Sequence, residues 1–242
     1  MSNMLMGPQN LPEQVRSVRQ RIESAVRAAG RNVDSVTLLA ASKAQPIDSI
    51  RALAQLGLTH FGESYVQEGL QKRETLHDLP LTWHFIGRLQ ANKTRPVAGS
   101  FDWVHGVDRL KIAERLSEQR PFHAPPLNVC LQVNVGDESS KGGVTSQDLP
   151  VLAAAVAALP RLKLRGLMCI PPEEQDPSRQ RAWFAKVRRE LEALNAAGAE
   201  LDTLSMGMSG DLEAAILEGA TLVRIGTALF GPRPSTIQVN EQ

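Results

Sequence analysis

A lysine stands at the end of a segment that has the composition of a fully buried strand. The run Val36 to Lys43, VTLLAASK, lacks the alternation of polar and apolar residues that is typical of a surface strand. By the two-residue period of a strand, Lys43 shares a face with Thr37, Leu39 and Ala41. Burial among apolar groups disfavours an ammonium, and a neutral amine attacks an aldehyde to form a Schiff base. An ion-paired lysine, or one that reaches out to solvent, is the alternative on position alone.

A second cation lies inside another apolar segment near the end of the chain. Arg224 is surrounded by apolar residues in LVRIGTALFG, and a buried guanidinium needs acceptors for its fixed set of donors. Gly226 and Thr227 follow two and three residues later, where their backbone N–H groups would be unobstructed by a bulky side chain. We therefore expect an anion, in particular a phosphate, to bind beside Arg224.

A serine in the preceding segment points to the same kind of ligand. Ser209 in SMGMSGD has the position of an N-cap for a helix that starts at about Asp211, so its hydroxyl and the following amides would face an anion. A plain helix cap without a ligand is the alternative for this residue. Together with Lys43, these donors suggest a ligand that carries both an aldehyde and a phosphate.

Other polar residues in predicted strands are weaker candidates. Asn134 lies at the end of the fifth predicted strand, on the same side as Gln132, and we predict that it contacts the ligand. His84 alternates with apolar Trp83 and Phe85, which is more typical of a hydrogen-bonded strand histidine than of a general base. His60 and His105 have no Cys, Asp or Glu partner at ligand spacing, so we predict no metal site.

The chain alternates between apolar runs and helical patterns. Eight such repeats indicate parallel strands with right-handed crossovers, and at 242 residues they predict an α/β fold, a single-domain (β/α)8 TIM barrel. A doubly wound open sheet would require a glycine-rich loop after the first strand, and SKAQP contains no glycine. The predicted strands are 36–42, 59–63, 82–87, 101–107, 128–135, 162–170, 203–208 and 221–230. The predicted helices between them are 46–56, 64–75, 91–98, 109–120, 145–158, 178–197 and 211–218.

An extra amphipathic helix precedes the barrel. Apolar residues recur at steps of three and four from Pro12 to Ala29, and Gly30 is expected to end the helix. No linker divides the chain, so we predict one domain over residues 12–233, with loose termini at 1–11 and 234–242. The ligand site is then expected at the C-terminal ends of the strands, where Lys43 lies.

Composition excludes several classes of function. A formal net charge of +1 gives no reason to expect binding to nucleic acid or to an anionic membrane surface. No apolar run approaches the roughly 20 residues of a membrane span, and the first ten residues lack the features of a signal peptide. Cys130 and Cys169 fall within apolar strands, which predicts free buried thiols in a reducing, cytoplasmic compartment.

Long motifs in the sequence resemble those of a known family. LLAASKAQP, HFGESYVQE, WHFIGRLQANK, LQVNVGDESSKGGV, LRGLMCIPP and LSMGMSGDLEAAILEGATLVRIGTALFGPR are similar to successive motifs of the pyridoxal phosphate homeostasis proteins. These are single-domain relatives of the fold type III alanine racemase barrel. The family usually has Glu-Asn-Tyr after the second strand, where this chain has Ser64 in place of the asparagine.

The resemblance implies a cytoplasmic barrel that binds pyridoxal 5'-phosphate. It implies Lys43 as the Schiff-base lysine, Arg224 against the pyridine nitrogen, and phosphate held around Ser209, Gly226 and Thr227. Such proteins act in cofactor homeostasis, so pyridoxal phosphate-dependent apoenzymes are the expected partners, and we expect a monomer.

The residues present favour cofactor binding over catalysis. An arginine can only donate to the ring nitrogen, which then stays unprotonated and makes the ring a weak electron sink. Racemisation needs a second acid–base group, which the racemases take from a C-terminal β-domain that we expect to be absent after Gly231. The single tyrosine, Tyr65, follows the second strand and is more typical of a packing residue. We therefore predict a carrier without robust turnover and no catalytic residue, with a fold type III racemase or a sugar-phosphate aldolase as the alternatives.

Overall fold

Eight parallel strands close into a barrel in chain order, with the first strand paired to the last. The computed structural model describes residues 10–136 and 142–231, and it confirms the predicted (β/α)8 architecture. Most of the predicted loose termini, residues 1–9 and 234–242, lie outside the described residues. The strands are β1 (Thr37–Ala41), β2 (His60–Glu63), β3 (Thr82–Phe85), β4 (Trp103–Val107), β5 (Leu127–Val133), β6 (Leu162–Cys169), β7 (Thr203–Ser205) and β8 (Leu222–Ile225).

Helices surround the barrel and connect its strands. The first begins at Leu11, which is buried, and residues after Ala28 turn at Gly30, whose φ of 65° lies in the left-handed region. The helices of the described ranges are α1 (Leu11–Ala28), α2 (Ile47–Gln55), α3 (Val66–Thr75), α4 (Thr94–Ser100), α5 (Leu110–Gln119), α6 (Leu149–Ala157), α7 (Pro177–Ala196), α8 (Leu212–Leu217) and α9 (Thr227–Phe230). None of them is both long and apolar enough to cross a membrane.

Alternate residues of each strand face the helices and the barrel lumen. In β1, Ala40 belongs to the apolar core that lies between the barrel wall and the helices. Leu39 is equally buried but on the opposite face, where it lies so close to Gly62 of β2 that a Cβ there would come within 2.5 Å of it. Lys43 is four residues after Leu39, so the alternation of side chains along β1 places it on the lumen side, at the mouth of the barrel.

One layer of the lumen is lined by polar side chains, which come from strands β3, β4, β7 and β8. TIM barrel interiors are usually filled by Val, Ile and Leu. Here His84, His105, Ser205 and Arg224 are buried, while their neighbours in sequence pack into the outer apolar core. A buried polar interior is stable only if its groups are hydrogen-bonded, so the pairing of these four side chains decides what the lumen can do.

The last predicted strand is wrong over its second half. β8 ends at Ile225, and residues Thr227–Phe230 form the short helix α9. Gly226 has φ −110° and ψ −80°, which ends the extended backbone, and its carbonyl accepts from the amide of Phe230. An apolar run of this length does not distinguish a buried strand from a buried helix, because both place apolar side chains in the core.

Candidate functional site

Lys43 lies in the turn that follows β1, at the rim formed by the C-terminal ends of the strands. Its side chain is half-buried rather than fully buried. The next residue, Ala44, has a φ of 58°, an uncommon conformation for a residue with a Cβ. This left-handed residue reverses the chain directly after Lys43, so the position of the amine depends on what holds the turn.

Three charged side chains hold this turn from the outer side of the barrel wall. We call Glu63, Glu68 and Lys72 the turn anchor. The Nζ of Lys72 donates to the carbonyl of Ser42 at 2.7 Å, to Glu63 at 2.9 Å and to Glu68 at 2.6 Å, which uses all three of its protons. Glu68 also accepts from the backbone amide of Ala44 at 2.7 Å. The residues on both sides of Lys43 are therefore tied to α3.

The carboxyl group of Glu63 is fully buried and only partly satisfied. Its Oε1 accepts from the hydroxyl of Ser42 at 2.6 Å as well as from Lys72, but its Oε2 has no hydrogen-bond partner. Burial raises the pKa of Glu63 to about 7, although Lys72 and Ser42 oppose the shift. The turn anchor thus contains a carboxyl group that exchanges its proton near neutral pH.

Ser209, Gly226 and Thr227 come together on the same arc of the rim as Lys43. Ser209 follows β7, and the other two follow β8, which pairs with β1. A Cβ on Gly226 would lie 3.5 Å from the carbonyl oxygen of Ala41, so the turns after β8 and β1 are adjacent. Thr227 is exposed and Ser209 and Gly226 are half-buried, which leaves their donors accessible at the mouth.

The predicted N-cap role of Ser209 is wrong. Helix α8 starts at Leu212 and is preceded by Asp211, whose carboxylate accepts from the backbone amide of Met208. Ser209 instead accepts from the backbone amide of Ala228 at 3.2 Å, so its hydroxyl links the loop after β7 to the start of α9. Before this loop, Gly207 has a φ of 95° and its carbonyl accepts from the backbone amide of Arg224, which holds the chain beside β8.

Arg224 lies in the lumen wall, two residues below this arc. Its Nη1 donates to the carbonyl and to the hydroxyl of Ser205, and its Nη2 donates to the carbonyl of Cys169 at 2.8 Å. Within the described ranges no carboxylate forms a salt bridge with it. A guanidinium has five N–H donors, so two of them, on Nε and Nη2, remain for an acceptor in the lumen.

The remaining predicted residues lie on other parts of the rim. Asn134 follows β5, on the side of the barrel opposite β1, and its backbone amide donates to the carbonyl of Val144 at 3.0 Å. Tyr65 immediately precedes α3, which begins at Val66 instead of the predicted Ser64, and its side chain is 44% exposed, which does not fit the packing role expected for it. The structure therefore brings five of the six predicted ligand residues to the β7–β8–β1 side and places Asn134 across the mouth.

The histidines form a chain of side-chain contacts across the lumen. His60 Nδ1 lies 2.9 Å from His84 Nε2, His84 Nδ1 lies 2.9 Å from His105 Nε2, and His105 Nδ1 lies 2.7 Å from the Ser205 oxygen. We call these four residues the histidine chain. The interpretation of His84 as a hydrogen-bonded strand histidine is confirmed, but the link from His84 through Ser205 to Arg224 was not predicted.

Sequence reasoning also missed the turn anchor, although weak signals were present. Glu68 and Lys72 are four residues apart on one helix, a spacing that brings side chains together. His60, His84 and His105 occupy alternating positions of three successive strands, which places them on one face of the sheet. Neither signal identifies the partner, because the contacts to Ser42 and Ser205 depend on which strands and helices are adjacent.

The two cysteines and the histidines have no arrangement typical of metal or redox chemistry. Cys130 and Cys169 are buried and unbonded, as predicted, and burial raises the pKa of both thiols to about 12. Over residues 10–136 and 142–231, no group of three or more His, Cys, Asp and Glu side chains is placed so that it could hold a metal ion.

Relatives with established names share nearly the whole chain. The family described as alanine racemase, N-terminal domain, matches residues 15–234. The pyridoxal phosphate homeostasis protein of Pseudomonas aeruginosa is 59% identical over 223 residues, which are 92% of this chain and 96% of that protein. The protein of the same name from Escherichia coli is 50% identical over 219 residues, 89% of this chain and 94% of that protein.

Solved structures agree with these sequence relatives. PipY of Synechococcus elongatus, whose structure has pyridoxal phosphate bound, is 37% identical with a TM-score of 0.81, and the match covers 91% of this chain and all of PipY. An alanine racemase from Clostridium difficile has a TM-score of 0.72 at 15% identity, and the match covers 94% of this chain but 58% of the racemase. The second comparison shows a shared fold alone.

Proposed function

The chain belongs to the alanine racemase N-terminal domain family and, within it, to the pyridoxal phosphate homeostasis proteins, and from this premise we propose that it binds pyridoxal 5'-phosphate without robust turnover. One observation carries the proposal. Two N–H donors of Arg224 have no acceptor among the described residues, and Arg224 lies in the lumen wall below the arc that contains Lys43 and Ser209. This set of groups matches the aldehyde, the phosphate and the ring nitrogen of the cofactor.

The residues present fit each of these groups in turn. Lys43 would supply the amine that bonds to the aldehyde carbon, with loss of the aldehyde oxygen as water and formation of a Schiff base. The phosphate would lie against the hydroxyl of Ser209 and the backbone amides of Gly226 and Thr227. Ser209 accepts one bond from Ala228, so its own proton remains for a phosphate oxygen. Asn134 would contact the ring from across the mouth.

The contact of Arg224 with the ring nitrogen determines what chemistry is supported. Pyridoxal phosphate, when bound, supplies an aldehyde and an aromatic ring that can accept electrons. Arg224 can only donate, and the lumen groups around it, Ser205 and the Cys169 carbonyl, are neutral. A carboxylate would instead stabilise a proton on the ring nitrogen. This arrangement supports holding the cofactor more than it supports carbanion chemistry.

The rim supports a role in which the cofactor is passed on. Exposed apolar side chains follow three of the strands: Tyr65 is 44% exposed, Ile170 40% and Met208 38%. They surround the mouth through which a bound cofactor would leave. We propose that pyridoxal phosphate-dependent apoenzymes approach this face, that the protein is a monomer, and that it acts in the cytoplasm, where two free thiols stay reduced.

The test of binding is absorption spectroscopy combined with mass analysis. Protein loaded with pyridoxal phosphate should absorb near the visible range, and borohydride reduction should leave a pyridoxyl group on the peptide that contains Lys43. Lys43→Ala should lose both signals, whereas Lys111→Ala, at an exposed position of α5, should keep them. A colourless protein that instead traps a sugar phosphate after reduction would support an aldolase.

The test of turnover uses amino acids in heavy water. We expect no deuterium at Cα above the level that free pyridoxal phosphate produces, and no loss of optical purity. Rapid exchange by the loaded protein would overturn the proposal in favour of a racemase, with Tyr65 as the first residue to replace.

A further inference from the structure

The histidine chain has a direction that follows from its contact with Arg224. The guanidinium has no acceptor, so the oxygen of Ser205 must accept from Nη1 at 2.8 Å. The hydroxyl of Ser205 has one proton, the side chain is fully buried, and His105 Nδ1 at 2.7 Å is its one acceptor within the described residues. Ser205 therefore donates to His105, and Nδ1 of His105 carries no proton.

The same reasoning fixes the tautomers of the next two rings. A neutral imidazole with an unprotonated Nδ1 has its proton on Nε2, so His105 donates to His84 Nδ1 at 2.9 Å. His84 in turn donates through its Nε2 to His60 Nδ1, also at 2.9 Å. Donation thus runs from Arg224 through Ser205, His105 and His84 to His60, and each link contains one proton.

The histidine chain does not accommodate an additional proton. An added proton on His84 Nδ1 would place two hydrogens between this atom and His105 Nε2, which are 2.9 Å apart, and one on His105 Nδ1 would do the same towards the Ser205 oxygen at 2.7 Å. Either change would break a buried hydrogen bond. Burial lowers the pKa of His84 well below its usual value and that of His105 to about 3, with Arg224 adding to the shift of His105. Burial also lowers the pKa of His60, and the nearby carboxylate of Asp102 opposes this shift.

We propose that His84, His105 and Ser205 are positioning residues, which fix the tautomers in the lumen so that Arg224 presents one of its two remaining donors to the lone pair of the pyridine nitrogen. The proposal rests on the proposed function only for the identity of the ligand. Because the hydroxyl of Ser205 donates its hydrogen bond to His105, the oxygen lone pairs stay available to Nη1 of Arg224. The guanidinium then cannot rotate without losing a hydrogen bond.

The tautomers can be measured on the ligand-free protein by ¹⁵N-resolved NMR of the imidazole rings. We expect His84 and His105 to carry their proton on Nε2 and to stay neutral from pH 5.5 to 8. The exposed His123 provides the reference for a ring in contact with solvent. A proton on Nδ1 of His105, or a charged ring at either position, would overturn the proposal whether or not pyridoxal phosphate binds.

Two variants at one position then test the positioning role. His105→Leu removes the acceptor for Ser205, and we expect about tenfold weaker binding of pyridoxal phosphate, the size of one lost hydrogen bond to a charged group, together with a shifted absorption maximum. His105→Gln offers a side-chain oxygen as acceptor and should restore the wild-type maximum. His77→Leu, at an exposed position, is the control.

The outcomes separate this proposal from the proposed function. If wild-type protein does not bind pyridoxal phosphate, the proposed function fails and the NMR measurement alone decides the tautomers. If wild-type protein binds it and folded His105→Leu binds with the same affinity and spectrum, positioning by the histidine chain is wrong. If His105→Leu does not fold, Ser205→Ala replaces it, with the same expected loss of affinity and shift of the maximum.

Discussion

The histidine chain inside the barrel and the turn anchor outside its wall both bury polar side chains, but they differ in how they carry charge. The histidine chain consists of neutral groups attached to one cation, Arg224, and each of its contacts contains one shared proton. The turn anchor combines the ammonium of Lys72 with two carboxyl groups, and the Oε2 of Glu63 lacks a partner.

The difference in charge between the two networks corresponds to the group that each one positions. Arg224 needs a fixed orientation, and directional hydrogen bonds between neutral groups supply it. The turn at Lys43 needs its backbone held against α3, and the strong attraction between opposite charges at low exposure does this with little directional demand. Substitutions in the histidine chain should therefore change mainly ligand binding. Substitutions in the turn anchor should change mainly the unfolding free energy and its dependence on pH.

The largest effect is expected from removal of the cation of the turn anchor. Lys72→Met leaves Glu63 and Glu68 close together without a counter-charge, and breaking a buried ion pair in this way costs about 3–5 kcal/mol of unfolding free energy. Urea unfolding at pH 7.5 measures it. Arg27→Met, which breaks an exposed pair with Glu23, should change the stability far less. Equal losses in the two variants would show that the turn anchor is not a special source of stability.

A smaller effect is expected from the proton of Glu63. Its pKa is about 7 in the folded chain and near 4.5 when unfolded, so the folded state binds the proton more tightly. The resulting stability is fully present below about pH 4.5 and is lost as pH rises through about 7, a change of about 3 kcal/mol at most. Between pH 4.5 and 8, wild-type protein should lose more stability than Glu63→Gln, as followed by urea unfolding at each pH. Parallel curves for the two proteins would contradict a raised pKa.

Removing one hydroxyl from the histidine chain should cost less. Ser205→Ala leaves Nη1 of Arg224 and Nδ1 of His105 each with one partner fewer, which we expect to lower the unfolding free energy by about 2 kcal/mol. Ser117 is also buried, but its hydroxyl accepts one long contact of 3.5 Å, so Ser117→Ala should cost under about 1 kcal/mol. Should both variants lose the same amount, Ser205 would be no more than a space-filling residue.

The smallest effect is expected in the chemical labelling of the two thiols, which lie on opposite faces of the barrel sheet. Cys130 alternates with Val129 and Leu131 of the outer core and so faces the lumen, whereas Cys169 belongs to the outer core. Because burial raises both pKa values to about 12, neither thiol should react with iodoacetamide at pH 8 over hours in the folded protein. Faster labelling of Cys130 alone, located by mass analysis, would show that the lumen opens independently of the outer core.

The architecture could be predicted from the sequence because it depends on local patterns. Each strand lies within two residues of its predicted start, since apolar runs and turn residues are set by neighbours in the chain. The errors fall where a pattern fits two structures: residues 227–230 are helical rather than extended, and α6 begins at Leu149 instead of Thr145 because Thr145–Asp148 form a capped turn.

The site could be predicted only in part. Lys43 and Arg224 were identified because a charge in an apolar strand is visible in the sequence itself. The turn anchor and the histidine chain were missed because, apart from the pair Glu68 and Lys72, they join residues 9 to 100 positions apart. Those contacts follow from strand register and from the packing of α3. Ser209 was assigned to the wrong structural role for the same reason, because its partner is the backbone amide of Ala228 in α9, 19 residues later.

Helix α1 has a consequence for the order in which the protein matures. Arg21 donates to the carbonyl of Ser209, which lies 188 residues later, and to the carboxylate of Glu213. Helix α1 therefore completes its contacts only after the segment around Ser209 has been synthesised. The lysine turn and the turn anchor lie within residues 42–72, so we expect the part of the site around Lys43 to form earlier in synthesis than the part around Ser209.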